Sequence, residues 1–212
     1  METLRNALTL VTPNCFMASI DHAYFSVPIA AEDQKFLKFE WDNELYQFTC
    51  YPNGLSQAPR NFTKLTKPIY GTLHSKGHIS TGYLDDSLLI GKSFDSCQQN
   101  RIDTVTLFDK LGFVVHPDKS VLEPTQIISY LGCEISSLSM TVKLTLYSIS
   151  KIITHCKHIM NQPRVTVREL TCLIGQLVAA FPGVMHGPLH YRALERNKSQ
   201  ALKRSKVDWE AK

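Results

Sequence analysis

The chain has 212 residues, 43% of them hydrophobic, enough to bury a sizeable core as one domain or as a domain with a smaller appendage, which excludes disorder throughout. Its net charge of +4 divides unevenly: residues 1–150 hold 12 Lys/Arg against 15 Asp/Glu (−3), residues 151–212 hold 11 against 4 (+7). The six cysteines form no C-x-x-C pair, and no apolar run reaches about 18 residues, so a disulfide framework, a structural zinc site, a secretory signal and a membrane span are all unsupported, and an intracellular setting, cytoplasmic or nuclear, is expected.

Taken in order, "NCFMASID" (14–21) alternates Phe16, Ala18 and Ile20 with Met17, Ser19 and Asp21, which predicts a strand that ends at Asp21 and carries it on the more polar face. "KFLKFEWDNELYQFTC" (35–50) sets two aromatic-rich runs around Asp42-Asn43, a hairpin signal, and a turn follows at Pro52-Asn53-Gly54. A helix comes next. Ser56 is its expected cap, Pro59 is tolerated in its first turn, and Phe62, Leu65, Ile69 and Leu73 form the predicted buried stripe. "TGYLDDSLLIG" (81–91) reads as a tight hairpin with Asp85 and Asp86 at its turn. Residues 94–111 read as a helix facing inward through Val105, Phe108 and Leu111 and stopped by Gly112. Strand-like runs at 112–115 and 126–136 complete an α+β pattern: an antiparallel sheet with helices on one side.

Beyond residue 140 the pattern turns helical, over 146–162 and 166–182. Thr166 and Glu169 form a capping box for the second helix, and Pro182-Gly183 ends it. The domain boundary is expected near residues 140–145. His155 with His158, and His186 with His190, stand at zinc-like spacings, but neither pair has the further ligands a structural site needs.

An Asp-Asp turn is ordinary in itself. Here Leu88, Leu89 and Ile90 are apolar enough to place it on a packed sheet rather than a free loop. Because neighbouring strand residues point to opposite faces, one aspartate of the pair is expected to share a site with Asp21, and Asp85 is given that role. Two carboxylates from different strands can hold magnesium ions about 3.5–4 Å apart, the equipment of in-line phosphoryl transfer. The basic C-terminal part would then supply phosphate contacts, although a solvated basic surface explains its charge equally well.

Five blocks occur in order: "AYFSVPI" (23–29), "YPNGLSQAPRNF" (51–62), "YLDD" (83–86), "LGFVVHPDKS" (111–120) and "YLGCEI" (130–135). Together they resemble the palm of a retroelement reverse transcriptase, most of all that of DIRS-type retrotransposons, with gypsy-type elements and retroviruses further off. The resemblance implies a polymerase-type palm over 1–140 with residual fingers, a helical thumb-like region over 145–200, and a tail at 201–212 leading toward an RNase H domain. It implies an RNA-directed DNA polymerase that uses Mg2+, or Mn2+, deoxynucleotides, and a primer on an RNA or DNA template.

Residue by residue, Asp21 and Asp85 would be the metal ligands, with Asp86 supporting them. Tyr24 would resemble the aromatic gate that excludes a ribose 2′-hydroxyl, with a core tyrosine near a strand end as the lesser alternative. Asn53 and Gly54 would lie against the incoming nucleotide, though Asn-Gly is also a plain turn, and retroviral relatives have glutamine where Asn53 stands. Lys119 would stand near the triphosphate, and a surface lysine in a Pro-Asp-Lys turn reads as well. Leu131 and Gly132 resemble the primer grip, with a hairpin turn as the bland alternative.

The sequence departs from the family at two places. Only His22 separates Asp21 from Ala23, where relatives have three residues. If the "AYFSVPI" block keeps its place, the catalytic position falls on Ser19 and Asp21 lies about 6.6 Å further along, at ~3.3 Å per residue. Either the turn is shortened and Asp21 stays in place, or the site is broken. The chain also starts inside the family pattern, so most of the fingers is expected to be missing. Both features predict little or no polymerase activity for the isolated chain, and a catalytically inactive fragment that binds nucleic acid or serves as an interaction module is the alternative reading.

Overall fold

The computed structural model describes residues 3–22 and 27–204. The chain divides into two compact units, one of Met1–Ile128 with Ser137–Met140, the other of Ser129–Ser136 with Thr141–Lys212. Among the described residues no helix is long and apolar enough to cross a membrane.

The first unit is built on a four-stranded sheet. Strand β1 (Phe16–His22) pairs antiparallel with β5 (Asp86–Gly91) on one side and with β6 (Val115–Thr125) on the other, while β4 (Ile79–Tyr83) lies beyond β5, giving the order β4-β5-β1-β6. Met17 points to one face of the sheet and Ala18 and Ile20 to the other, yet all three are buried, so this strand is covered on both faces along that stretch. The strand runs one residue past the predicted end, through His22. Helices α3 (Ala58–Ser75) and α4 (Phe94–Lys110) cover the face of Ala18 and Ile20, where Leu89 and Cys97 close a core cluster. A second cluster joins Ile69 and Leu73 of α3 to Phe108 of α4.

Helix α3 corrects two expectations. Gln57, not Ser56, stands at its N-cap, with a helical backbone and no side-chain cap bond, so the hydroxyl expected there is not used. Leu65 is 48% exposed, and the buried stripe runs Phe62, Thr66, Ile69, Leu73, with the Thr66 hydroxyl turned back onto the Phe62 carbonyl. A threonine satisfied by its own helix is as buriable as a small apolar residue. In α4 the stripe is Cys97, Asn100, Thr104 and Phe108, and Leu111 is an exposed C-cap followed by Gly112 at φ 81°. Asn100 is tolerated there because its amide bonds the carbonyls of Ile79 and Ile90.

Strand β6 was not expected over 116–125, since Pro117 and Pro124 argue against a central strand. It lies at the sheet edge, where a missing N–H costs little. A short helix, α1 (Leu4–Leu10), capped by Thr3, also escaped the periodicity. A four-residue helix, α2 (Ala31–Gln34), leads to the hairpin of β2 (Lys38–Trp41) and β3 (Glu44–Gln47), closed as expected by Asp42 and Asn43 at φ 52° and 61°.

Strand β7 (Ile127–Tyr130) carries the chain toward the second unit, where β8 (Cys133–Ser136) pairs with β9 (Thr141–Leu144). Helices α5 (Leu146–Met160) and α6 (Val167–Ala180) follow, then α7 (Gly187–His190) and α8 (Arg192–Arg204), with α6 packed on α5 and α8. The Thr166–Glu169 capping box is present in both directions. Thr145 caps α5, a signal the sequence reading passed over.

Candidate active site

The carboxylates meet at one end of the sheet. Asp21 and Asp86 are direct cross-strand partners in β1 and β5, so their side chains leave the same face, opposite the one α3 and α4 cover. The hairpin turn consists of Leu84 and Asp85, with Asp86 already the first residue of β5. Leu84 takes φ 55°, a left-handed conformation that costs a non-glycine residue about 1–2 kcal/mol and persists only where the surroundings impose it.

The placement amends the reasoning that selected Asp85 over Asp86. The two-residue period holds within strands, and it makes Asp86 the mate of Asp21. Asp85, in the turn, is exempt from that period, and its carboxylate acts on both neighbours. Burial raises the Asp21 carboxyl above its ordinary range; Lys119 pulls it back, and Asp85 adds to the rise. Asp86 is pushed up to about 6, by burial first and then by Asp85 and Asp21, with Lys119 opposing. Asp21, Asp85, Asp86 and Lys119 therefore form one electrostatic cluster.

Lys119 reaches the cluster through an irregularity in β6. Ser19 pairs with Val121 and Asp21 with His116, so two steps along β1 are matched by five along β6, and the extra residues bulge out. Bulges re-aim side chains beside functional sites. This one is pinned by Ser120, whose hydroxyl accepts from the Asp21 backbone N–H at 3.0 Å and donates to the His116 carbonyl at 2.6 Å. Ser120 and His116, which also lowers the Asp21 carboxyl, were missed in the sequence, because a strand with two prolines gave no pairing from which to place them.

Asp21 stands opposite Asp86, and the following backbone N–H, that of His22, donates to the Asp85 carbonyl at 2.9 Å. Ser19, the alternative position, pairs with Leu88 further down the sheet. Tyr24 lies outside the described residues.

The other predicted residues stand in turns. Asn53 and Gly54 form an exposed turn before α3, with Gly54 at φ 96°. Leu131 and Gly132, at φ 47° and 79°, make a two-residue turn between β7 and β8. Within the second unit that turn is tied to the start of α5: the Gly132 carbonyl accepts from the Thr145 N–H at 3.1 Å and the Ser148 hydroxyl at 2.9 Å.

Carboxylate oxygens suit a hard divalent cation. Among the described residues no group of three or more His, Cys, Asp or Glu side chains stands in an arrangement that could hold a metal alone. A hard divalent cation can be held by one or two carboxylates, its shell completed by water and phosphate oxygens. Asp21 and Asp85 could be the protein ligands, with Asp86 beside them.

Residues 3–135 match the sequence model of the family described as "Reverse transcriptase (RNA-dependent DNA polymerase)". The Gag-Pol polyprotein of Rous sarcoma virus subgroup C (strain Prague) is 26% identical over 124 residues, 54% of this chain and 8% of that protein. The Gag-Pol polyprotein of Walleye dermal sarcoma virus is 30% identical over 119 residues, 53% of this chain and 6% of that protein. The chain thus spans less than a tenth of the length of these curated relatives. Among solved structures, the foamy viral protease-reverse transcriptase in complex with an RNA/DNA hybrid shares the fold at a TM-score of 0.61 and 21% identity, over 92% of this chain and 26% of that one. The dRH form of the same enzyme with double-stranded DNA gives 0.65 and 20%, over 95% and 34%. With well over half its length matched, the chain belongs to the reverse transcriptase (RNA-dependent DNA polymerase) family.

Proposed function

We propose that this domain is an RNA-directed DNA polymerase of retrotransposon origin, nearest by its ordered motifs to DIRS-type elements, extending a primer on an RNA or DNA template with deoxynucleotides. The single observation that carries the reading is the register of Asp21 against Asp86, with Asp85 at the turn and Lys119 within electrostatic reach.

Asp21 and Asp85 would hold the divalent ions. When bound, such a pair sharpens the primer 3′-hydroxyl as a nucleophile and offsets charge on the triphosphate and the departing pyrophosphate. Asp86, its carboxyl pushed up to about 6 by burial and by its two acidic neighbours, would stand beside them as a supporting carboxylate. Lys119 would face the β- and γ-phosphates, adding positive charge and a proton for the leaving group. Asn53 and Gly54 would line the nucleotide path, with the glycine allowing close backbone approach, and Tyr24 would exclude the 2′-hydroxyl. Residues 1–140 would act as the palm. Residues 145–200 would act as the thumb, with Leu131 and Gly132 gripping the primer and the basic helices contacting phosphates. An RNase H domain would be a partner in the parent polyprotein.

The pairing of Asp21 with Asp86 supports the active reading over the inactive one. The test is primer extension on poly(rA)/oligo(dT) with Mg2+ or Mn2+, for the parent and Asp85→Asn. The expected result is metal-dependent incorporation that falls by on the order of 100-fold or more in the variant. A folded parent that does not extend the primer, yet binds the duplex in a salt-dependent way, would instead establish the non-enzymatic reading.

A further inference from the structure

On the sheet face away from the carboxylates, the residues that follow Asp21 and Asp86 in the chain, His22 and Ser87, form a polar chain inside an apolar layer. His22 Nε2 lies 2.8 Å from Ser87 Oγ, and Ser87 Oγ is hydrogen-bonded to the Tyr70 hydroxyl of α3. The His22 ring lies flat on Phe108 of α4, centroids 3.7 Å apart at 14°. Both His22 and Ser87 are fully shielded, at 1% and 0% exposure. In β4, Gly82 sits opposite Ser87, and any Cβ there would collide with the Tyr70 ring and hydroxyl. His22 Nδ1 finds no partner among the described residues.

An imidazole with one nitrogen unmatched is a poor choice for filling space in this layer, where a leucine would need no partner. What imidazole offers instead is direction. Its Nε2 fixes the diagonal between β1 and β5, while its backbone N–H bonds the Asp85 carbonyl, so one residue holds both the flank and the turn of the carboxylate hairpin. The turn needs such a hold, because Leu84 at φ 55° is not at rest by itself. Apolar contacts, being non-directional, would resist separation of the layers but not a slide or roll of β5 against β1.

We propose that His22, Ser87 and Tyr70 are positioning residues for the metal-binding carboxylates, setting the separation of Asp21 and Asp85 from beneath the sheet. The proposal rests on the reading of those two aspartates as ligands. Ligand geometry is selective at the scale of tenths of an ångström, so a small relaxation of the turn is felt as lost affinity before it is felt as lost fold.

The test is Mn2+ binding to the whole chain, followed by the electron paramagnetic resonance signal of free Mn2+, with a thermal melt of each protein beside it. The variants are His22→Leu, His22→Gln, Tyr70→Phe and, as the ligand control, Asp85→Asn. We expect the parent to bind and Asp85→Asn not to. His22→Leu and Tyr70→Phe should weaken binding by on the order of 10-fold while still melting cooperatively well above the assay temperature. His22→Gln, whose amide can reach Ser87, should recover most of the affinity. If His22→Leu does not fold, Tyr70→Phe, which removes a single oxygen bonded to Ser87, decides. Parent-like affinity in Tyr70→Phe and in any folded His22→Leu, with Asp85→Asn silent, would overturn the positioning role and leave the ligand reading standing. A parent that fails to bind, or an Asp85→Asn that binds equally, would overturn the ligand reading and the positioning role with it.

Discussion

The hairpins on either side of α3 are both closed by two-residue turns, and they are held by different means. In β2–β3 the turn residues are Asp42 and Asn43, types that accept positive φ through their own short polar side chains. Every residue of both strands is exposed, and the hairpin is steadied by Phe39 stacked across it on Tyr46 and tilted against Phe48. In β4–β5 a leucine occupies a left-handed position that its side chain disfavours, and β5 is buried from Ser87 to Gly91. Local sequence explains the first turn. The second is imposed by its surroundings, and the strained residue is the one next to Asp85. Strain of this kind persists where a fold holds functional groups in a geometry they would not choose.

The β4–β5 hairpin is least tolerant of change at Gly82. A methyl there meets Tyr70, whose hydroxyl is already committed to Ser87, so neither side can yield cheaply. Gly82→Ala should lower stability by about 2–3 kcal/mol, the upper part of the overpacking range, in a urea titration. A loss below about 0.5 kcal/mol would mean that the layer under the site hairpin is as loose as the surface hairpin.

A smaller effect, and of opposite sign, is expected at Asp86. Its carboxyl is pushed up from 3.8 to about 6, so the folded state holds the proton more tightly than the unfolded one. The associated stability is fully present below about pH 4 and is lost as pH rises through about 6. At pH 8 without divalent metal, Asp86→Asn should therefore be more stable than the parent, by ~1 kcal/mol once solvent screening is allowed for. The gap should narrow at pH 5. An equal gap at both pH values would show that ionisation is not its cause.

Features written in a few adjacent residues were legible in the sequence. The Asp42-Asn43 turn, the Gly112 stop, the Thr166–Glu169 box and the carboxylates of "YLDD" each declare themselves within a handful of positions. Features decided by what lies opposite were not. Strand β6 reads as broken by its prolines until its edge position is known. The choice between Asp85 and Asp86 could not be made before the turn was located, because a shift of one residue reverses which side chain shares a face with Asp21. The polar chain beneath the site joins His22 to Ser87 across 65 residues of sequence, and nothing near either residue announces the other. The register of Asp21 against Asp86 likewise shows only in the pairing of β1 with β5 from Phe16 to Asp21, and not in the motif that follows it.

The smallest effect separates the hairpins most cleanly. Trp41 and Leu45 are 72% and 67% exposed, and the pairing of β2 with β3 depends on backbone bonds and on Phe39, Tyr46 and Phe48 rather than on them. Trp41→Ser and Leu45→Ser should each change stability by no more than about 0.5 kcal/mol, as substitutions at open surface do. Removing two large apolar groups from one hairpin would then cost less than adding a single methyl to the other. Burial and the fit of surrounding groups, not hydrophobic content, would be what distinguishes the hairpin that bears the carboxylates. A loss above about 1 kcal/mol in either serine variant would show that the surface hairpin gains stability from contact of those side chains, and the contrast with β4–β5 would fail on the side of β2–β3.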